Sequence, residues 1–337
     1  MKQQPNPSDS IANGYSNRER NKIAGALLGL AVGDAMGVPF EFKSKEDMQN
    51  SPATGMIGYG SHNQAPGTWS DDSSLCFCLA ESLINGYNLV DIARKFINWK
   101  EEGLWTARGV VFDIGITTSK SINDLKTILE QDKEDELKTL RDNAKKQDNG
   151  NGSLMRILPL LYRIKGLTPW DQFQKVWEVS ALTHKHIRSA MACFIYIKLA
   201  EMLCNGLDKE QAYAEMRNQV IHFWGEIDFP QAERYHFDHV ILHDIRSKPE
   251  DELRSSGYVI DSLESSIWYF LEKENYKDTV LGIINLGEDT DTGAAISGGL
   301  AGLYYGEEAI PREWLLNLAR YEDIKALINA MIVASFS

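Results

Sequence analysis

Residues 21–32 read NKIAGALLGLAV. Apolar side chains fall on most faces at the helical period, so the stretch predicts a buried helix. Gly25 and Gly29 lie four apart, on one face, where a neighbouring helix can approach closely. A second run, residues 292–305 (TGAAISGGLAGLYY), has the same character. Its Gly298-Gly299-Leu300-Ala301-Gly302 core resembles a nucleotide loop only in composition. Inside an apolar helical run it predicts close packing.

Helical patterns extend outward from these two runs. Asp71–Asn85 follows Ser70 and stops at Gly86, a good start and stop pair. Asn88 caps a helix running to about Glu101 and closed by Gly103. Ser153–Ile164, Trp170–Leu182, Ile187–Asn205, Asp208–Trp224, Tyr258–Lys273, Thr279–Leu286 and Tyr321–Ala334 continue the pattern. Thr127–Gln147 is strongly charged and predicts a solvated helix or loop. Alternating strand patterns are scarce, so the predicted class is all-α. Gly225–Gly257 is polar and irregular, the best linker were there two domains. Residues 1–18 are polar, carry Pro, Asn and Ser, and predict a disordered tail.

Of 337 residues, 43% are hydrophobic, enough for a sizeable core. The net charge of -13 argues against nucleic acid, which is bound by Lys and Arg neutralising phosphates. Cys76, Cys78, Cys193 and Cys204 show no C-x-x-C metal spacing and fit a reducing compartment. The N-terminus lacks the apolar core of a signal peptide, and no stretch is expected to span a membrane. The expected location is cytoplasmic.

Two acidic clusters stand out: Thr68-Trp69-Ser70-Asp71-Asp72-Ser73 and Gly287-Glu288-Asp289-Thr290-Asp291-Thr292. Each sits just before an apolar helix. Asp and Ser there satisfy orphan N–H groups and suit the helix dipole. One acid would serve that need, whereas two crowded acids repel. A bound hard cation, Mg²⁺ or Mn²⁺, would relieve the repulsion through oxygen ligands. Spacing alone leaves capping and metal ligation both open.

Other motifs carry a bland and a functional meaning. Asn149-Gly150-Asn151-Gly152-Ser153 is an Asn-Gly turn or, before a helix, an anion cradle. Met155 and Arg156 follow, the arginine suited to a phosphate or a salt bridge. His236, His239 and His243 could share a helix face, yet no matching zinc ligands lie nearby. No G-x-S-x-G serine elbow is present.

Four blocks in order, GALLGLAVGDAMGVPFEF from Gly25, GTWSDDSSL from Gly67, NGNGSLMRILPL from Asn149 and LGEDTDTGAAISGGLAGLYYG from Leu286, resemble the ADP-ribosylglycohydrolase family. DIGITT from Asp113 and LTHKH from Leu182 fall between them. The resemblance implies a compact helical fold with a central cleft holding two divalent cations, Mg²⁺ or Mn²⁺. It implies Ser70, Asp71, Asp72, Asp289, Asp291 and Thr292 as metal ligands, with Ser70 where relatives often carry Thr. It implies Gly115, Asn149, Gly150, Asn151, Gly152, Ser153, Met155 and His184 as ADP-ribose contacts, and Glu41, Asp72 and Asp289 as candidate catalytic acids. Asp113 reads as structural.

The implied activity is hydrolysis of the glycosidic bond joining ADP-ribose to a substrate, foremost arginine on protein. The alternatives are serine-linked or small-molecule conjugates, an immunity factor acting against an ADP-ribosylating toxin, and a non-catalytic ADP-ribose binder. All metal acids are present, which argues against the binder.

Overall fold

The computed structural model describes residues 17–335, and the expected tail lies outside them apart from its last two residues, which are helical. Eleven helices of nine residues or more carry the fold: α1 (Asn17–Gly37), α2 (Asp71–Ile84), α3 (Leu89–Glu102), α4 (Ile116–Glu130), α5 (Pro169–Ala181), α6 (Ile187–Cys204), α7 (Lys209–Glu226), α8 (Val259–Glu272), α9 (Tyr276–Ile284), α10 (Thr290–Tyr305) and α11 (Tyr321–Ser335). Among the described residues there is no strand. A single antiparallel bridge joins Gly150 and Tyr258.

The α1–α10 pair is the spine. Gly25, Gly29, Gly33 and Gly37 recur every four residues and form one stripe. A β-carbon at Gly25 would run into the Gly302 carbonyl, one at Gly29 into Gly298, one at Gly33 into Ala294 and one at Gly37 into the Asp291 backbone. The stripe lets the two backbones touch. It also runs the C-terminal end of α1 directly onto the N-terminal turn of α10, where the second acidic cluster lies. The remaining helices wrap this pair. Helix α2 packs on α1, α3 and α11, while α6, α8 and α9 cover α10.

Helix α1 passes the length and hydropathy test for a membrane span over Arg18–Phe40, contrary to the expectation that no stretch would. Its apolar 18-residue stretch is wholly buried in the protein, as in a core helix.

Residues 225–257 are not a linker. Phe229 stacks on Trp224 at 5.5 Å between ring centroids, Phe237, Ile241 and Ile245 are buried, and Arg188 pairs with Glu233 at 2.8 Å. Their apolar side chains join the core that runs through both halves of the chain.

Two helical expectations need correction. Residues 153–164 form turns, a 3₁₀ turn at Leu158–Leu160 and one α-turn at Leu161–Ile164. Pro159 cannot donate into a continuous helix, and Arg156 Nη1 takes the Gly152 carbonyl. The charged stretch Thr127–Gln147 contains the end of α4, which starts at Ile116, and a 3₁₀ segment from Glu134 to Asn143.

Candidate active site

The N-termini of α2 and α10 meet. Ser70 caps α2, its hydroxyl accepting from the Asp72 N–H at 3.3 Å. Capping therefore does not require Asp71 or Asp72. Asp289 occupies the N-cap position of α10 but makes no side-chain cap. Instead its Oδ2 accepts from the Asn151 amide at 2.8 Å. Thr292 Oγ1 lies 3.2 Å from Asp72 Oδ1 and joins the two clusters.

The carboxylates converge in two groups. Oxygens of Asp34, Asp72 and Asp291 lie within 4.8 Å of one another, as do those of Glu41, Asp289 and Asp291. Asp291 belongs to both. Its Oδ1 accepts from the Thr292 N–H at 2.9 Å, while Oδ2 is buried and meets no donor among the described residues. Burial and mutual repulsion hold Asp71, Asp72 and Asp291 well above the usual carboxylate range. Burial raises Asp289 as well.

A buried lone carboxylate oxygen, an all-oxygen donor set and uncompensated like charges fit divalent cations. The α2 and α10 dipoles soften the repulsion but supply only partial charge.

Asp34, which the sequence did not single out, is the organiser of the first cluster. Its Oδ1 accepts from Ser70 N–H at 2.9 Å, and its Oδ2 from the Ser73 N–H and hydroxyl at 2.9 and 2.5 Å. Both oxygens are committed, so Asp34 positions the α2 turn rather than serving as an open ligand. Burial raises it to about 6.

Glu41 lies on a strap, residues 38–43, that is tied down on both sides. Phe42 N–H donates to Glu288 O at 2.7 Å, Glu288 N–H to Lys43 O at 2.6 Å, and Ser61 N–H to Pro39 O at 3.1 Å. Burial pushes the Glu41 carboxyl up to about 7, against the opposing effect of its hydrogen-bonded neighbour His62. His62 was also not anticipated. It sits in a turn-rich stretch where a lone histidine carries no pattern.

Glu41, Asp71, Asp289 and Thr292 face a cavity of about 280 Å³ together with Asp113, Gly115, Gly150–Gly152, Met155 and His184. Of the expected ligand contacts, Gly115, Gly150, Asn151, Gly152, Met155 and His184 line it. Asn149 and Ser153 do not. The Asn149 carbonyl accepts from Val259 N–H at 3.2 Å. Ser153 is fully buried behind the wall, its hydroxyl 2.9 Å from that of Ser180. Asp72, Ser70 and Asp291 lie just beneath the lining. Asn151 spends its amide on Ser262 and Asp289, tying the glycine turn to the acids. Arg156 reaches neither a phosphate site nor a carboxylate. It is buried on Phe96 and holds the Gly152 and Val179 carbonyls.

His184 explains the glycines. A β-carbon on Gly152 would come 2.6 Å from His184 Cε1, and one on Gly150 would come 3.1 Å from Nε2. Burial, with Arg156 adding to it, lowers His184 to about 3, so the ring is neutral. The three distractor histidines are exposed. His236 meets the Tyr258 hydroxyl at 3.3 Å, and none joins a metal-competent group among the described residues.

The N-termini of α2 and α10 thus bring four aspartates together beside a glycine wall, in a helical protein whose cleft has the oxygen donors a divalent cation would take. The sequence profile of the ADP-ribosylglycohydrolase family matches residues 15–336, and the chain belongs to that family. It is 33% identical over 315 residues to the ADP-ribosylarginine hydrolase Tri1 of Serratia proteamaculans, covering 92% of this chain and 79% of that protein. It is 28% identical to the ADP-ribosyl-[dinitrogen reductase] glycohydrolase of Rhodospirillum rubrum, covering 93% and 96%. A solved ADP-ribosylglycohydrolase-related protein complex superposes with a TM-score of 0.76 at 28% identity, over 95% of this chain and all of that one. The protein is a glycosidase acting on ADP-ribose linkages.

Proposed function

We propose that the protein removes ADP-ribose from arginine side chains, using two divalent cations, Mg²⁺ or Mn²⁺, in the carboxylate cleft. The observation that carries the cation reading is Asp291, shared by both carboxylate groups, one of whose oxygens is buried and meets no donor among the described residues. The arginine linkage is supported by the likeness to Tri1 proteins of two bacteria, at 33% and 29% identity.

In this reading Ser70, Asp71, Asp72, Asp289, Asp291 and Thr292 hold the cations. Bound there, the cations neutralise the cluster and acidify a water. ADP-ribose lies along the Gly150–Gly152 wall, with its distal ribose toward Gly115. Neutral His184 supports that wall and brings no charge to the diphosphate.

Glu41, raised to about 7, is the proton carrier. A group with a pKa near the working pH is the efficient one for general acid–base transfer. It takes the proton of the water that bonds to the anomeric carbon. The carbon–nitrogen bond breaks, its electron pair stays on the guanidine, and the proton returns to that nitrogen. Four free thiols, three of them buried, support a cytoplasmic, reducing location.

The test is a direct comparison. Arginine- and serine-ADP-ribosylated proteins at equal concentration are incubated with the enzyme, after EDTA treatment and after return of Mg²⁺ or Mn²⁺. The expected result is metal-dependent release, faster from arginine. Faster release from serine, or full turnover without metal, overturns the corresponding half of the reading.

A further inference from the structure

Just outside the carboxylate edge of the cleft stands an aromatic group that the reaction above does not use. His62 lies between Phe42 and Phe112, with ring centroids at 5.6 and 5.4 Å. Polar atoms of His62, Glu41 and Asp113 lie within 4.8 Å of one another, so the rings adjoin the two carboxylates that close this end of the cavity.

Phe42 is 72% exposed, so the core does not need its ring. It nevertheless occupies the left-handed region, at φ 66°. That conformation is strained for a side chain with a β-carbon, and persists where surrounding bonds over-determine it. Here the two backbone bonds that tie Phe42 and Lys43 to Glu288 do so. Asp113, next to Phe112, is also left-handed at φ 44°. His62 is presented by a tight turn, Tyr59 N–H to Gln64 O at 2.6 Å and Asn63 N–H to Gly60 O at 3.0 Å, and that turn docks on the strap through Ser61. Strained backbone on both sides thus holds one exposed ring, Phe42, and two partly buried ones, His62 and Phe112, at one mouth of the cleft.

We propose that Phe42, His62 and Phe112 form the acceptor subsite, which takes the planar cationic guanidine group of the modified residue against its rings and the Glu41–Asp113 edge. The inference rests on the arginine reading and deepens it. ADP-ribose occupies the glycine wall, so the acceptor leaves from the opposite, carboxylate end. A guanidinium stays protonated at neutral pH, stacks on aromatic faces and donates to carboxylates. Glu41, His62 and Asp113 together carry two potential negative charges and at most one positive, so the edge attracts a cation. A serine-linked acceptor has no charge and no planar group for these rings to engage.

The test uses Phe42→Ala, Phe42→Leu, Phe42→Trp and Phe112→Ala, with steady-state kinetics on ADP-ribosylarginine and calorimetry with free ADP-ribose. Phe42→Ala and Phe112→Ala should raise KM about 5- to 10-fold, leave kcat within about twofold, and leave ADP-ribose affinity unchanged. Phe42→Leu keeps apolar bulk without a π face and should behave like Phe42→Ala, whereas Phe42→Trp should match or improve on the parent. Unchanged KM in both alanine variants overturns the subsite, as does a parallel loss of ADP-ribose affinity, which would assign the rings to the nucleotide. A parent enzyme that cleaves serine-linked but not arginine-linked ADP-ribose overturns the arginine reading and the subsite together. A parent active on arginine with indifferent variants removes the subsite alone.

Discussion

Thr292 Oγ1 and Asp72 Oδ1 stand 3.2 Å apart although they lie 220 positions apart in the chain. The contact exists because the glycine stripe on α1 lets α10 lie against it, and because Asp34 of α1 then grips the first turn of α2. Four aspartates are thereby brought together, and among the described residues none of them forms an ion pair with a Lys or Arg side chain. Removing one charge should therefore affect function and stability in opposite directions.

Asp291→Asn tests this most sharply. The amide oxygen still accepts from the Thr292 N–H, so the α10 turn survives. The shared anionic ligand is gone. Activity should fall by about 10²-fold or more, as when a transition-state electrostatic group is lost. The metal-free Tm should stay level or rise, because a repulsive buried charge has been removed. Saturating Mg²⁺ should stabilise the parent by roughly 2–4 kcal/mol at 100 to 1,000 times Kd, and the variant little or not at all. Equal metal-induced shifts in both would show that Asp291 is no ligand.

The same repulsion sets a pH dependence. Asp34 and Glu41 are raised to about 6 and 7, and Asp71, Asp72 and Asp291 well above their ordinary range. Between ordinary carboxylate values and these raised ones, the folded chain binds more protons than the unfolded chain. Their contribution to stability is present at low pH and is lost as pH rises through the folded values. Metal-stripped protein should thus lose Tm from pH 5 to pH 8, and Mg²⁺ should flatten the slope by replacing the protons. A metal-free Tm that climbs over this interval would contradict the buried cluster.

Much of this arrangement was legible beforehand. Ser70-Asp71-Asp72 and Asp289-Thr290-Asp291-Thr292 mix acids with hydroxyls at the starts of apolar helices, and the long helices announce themselves by period and caps. Asp34 was not legible. A single acid inside an apolar helix looks like any satisfied polar group until the partner turn is placed against it. His62 was hidden for a related reason, since its partner Glu41 lies across a chain reversal. Helix α4 was missed because Thr117, Thr118, Ser119 and Ser121 weaken its first turns and Ile116 is exposed. The helix expected at 153–164 failed at Pro159. The stretch 225–257 read as irregular because its packing rests on a few scattered aromatics, among them Phe229 and Phe237, which meet Trp224.

Asp34→Asn should be more disruptive than its isosteric form suggests. Both oxygens of Asp34 accept from N–H or O–H groups of Ser70 and Ser73. An amide must turn its NH₂ toward one of those donors and leave it unsatisfied in the core. The expected cost is roughly 1–3 kcal/mol in chemical denaturation, with reduced metal affinity because Ser70 and Asp72 lose their register. A variant of parental stability and parental metal affinity would show that the α2 turn is set by something else.

The glycine wall offers a test that separates two reasons for glycine. If Gly152 serves only backbone approach to a diphosphate, Gly152→Ala weakens ADP-ribose binding whatever lies behind it. The geometry gives another cause: the added β-carbon would sit 2.6 Å from His184 Cε1, so the imidazole must move, and it is packed against Thr183 Oγ1 at 2.9 Å from Nδ1. Overpacking of this kind costs roughly 1–3 kcal/mol. In a double-mutant cycle read by calorimetry, Gly152→Ala should lower affinity about tenfold. Adding His184→Ala should recover part of that loss, because the second change removes the obstructed ring. His184→Ala alone should weaken binding by a smaller factor, having left the turn unsupported. Strictly additive losses would mean that His184 and Gly152 act independently, and would return Gly152 to the simpler role of admitting the ligand to the backbone.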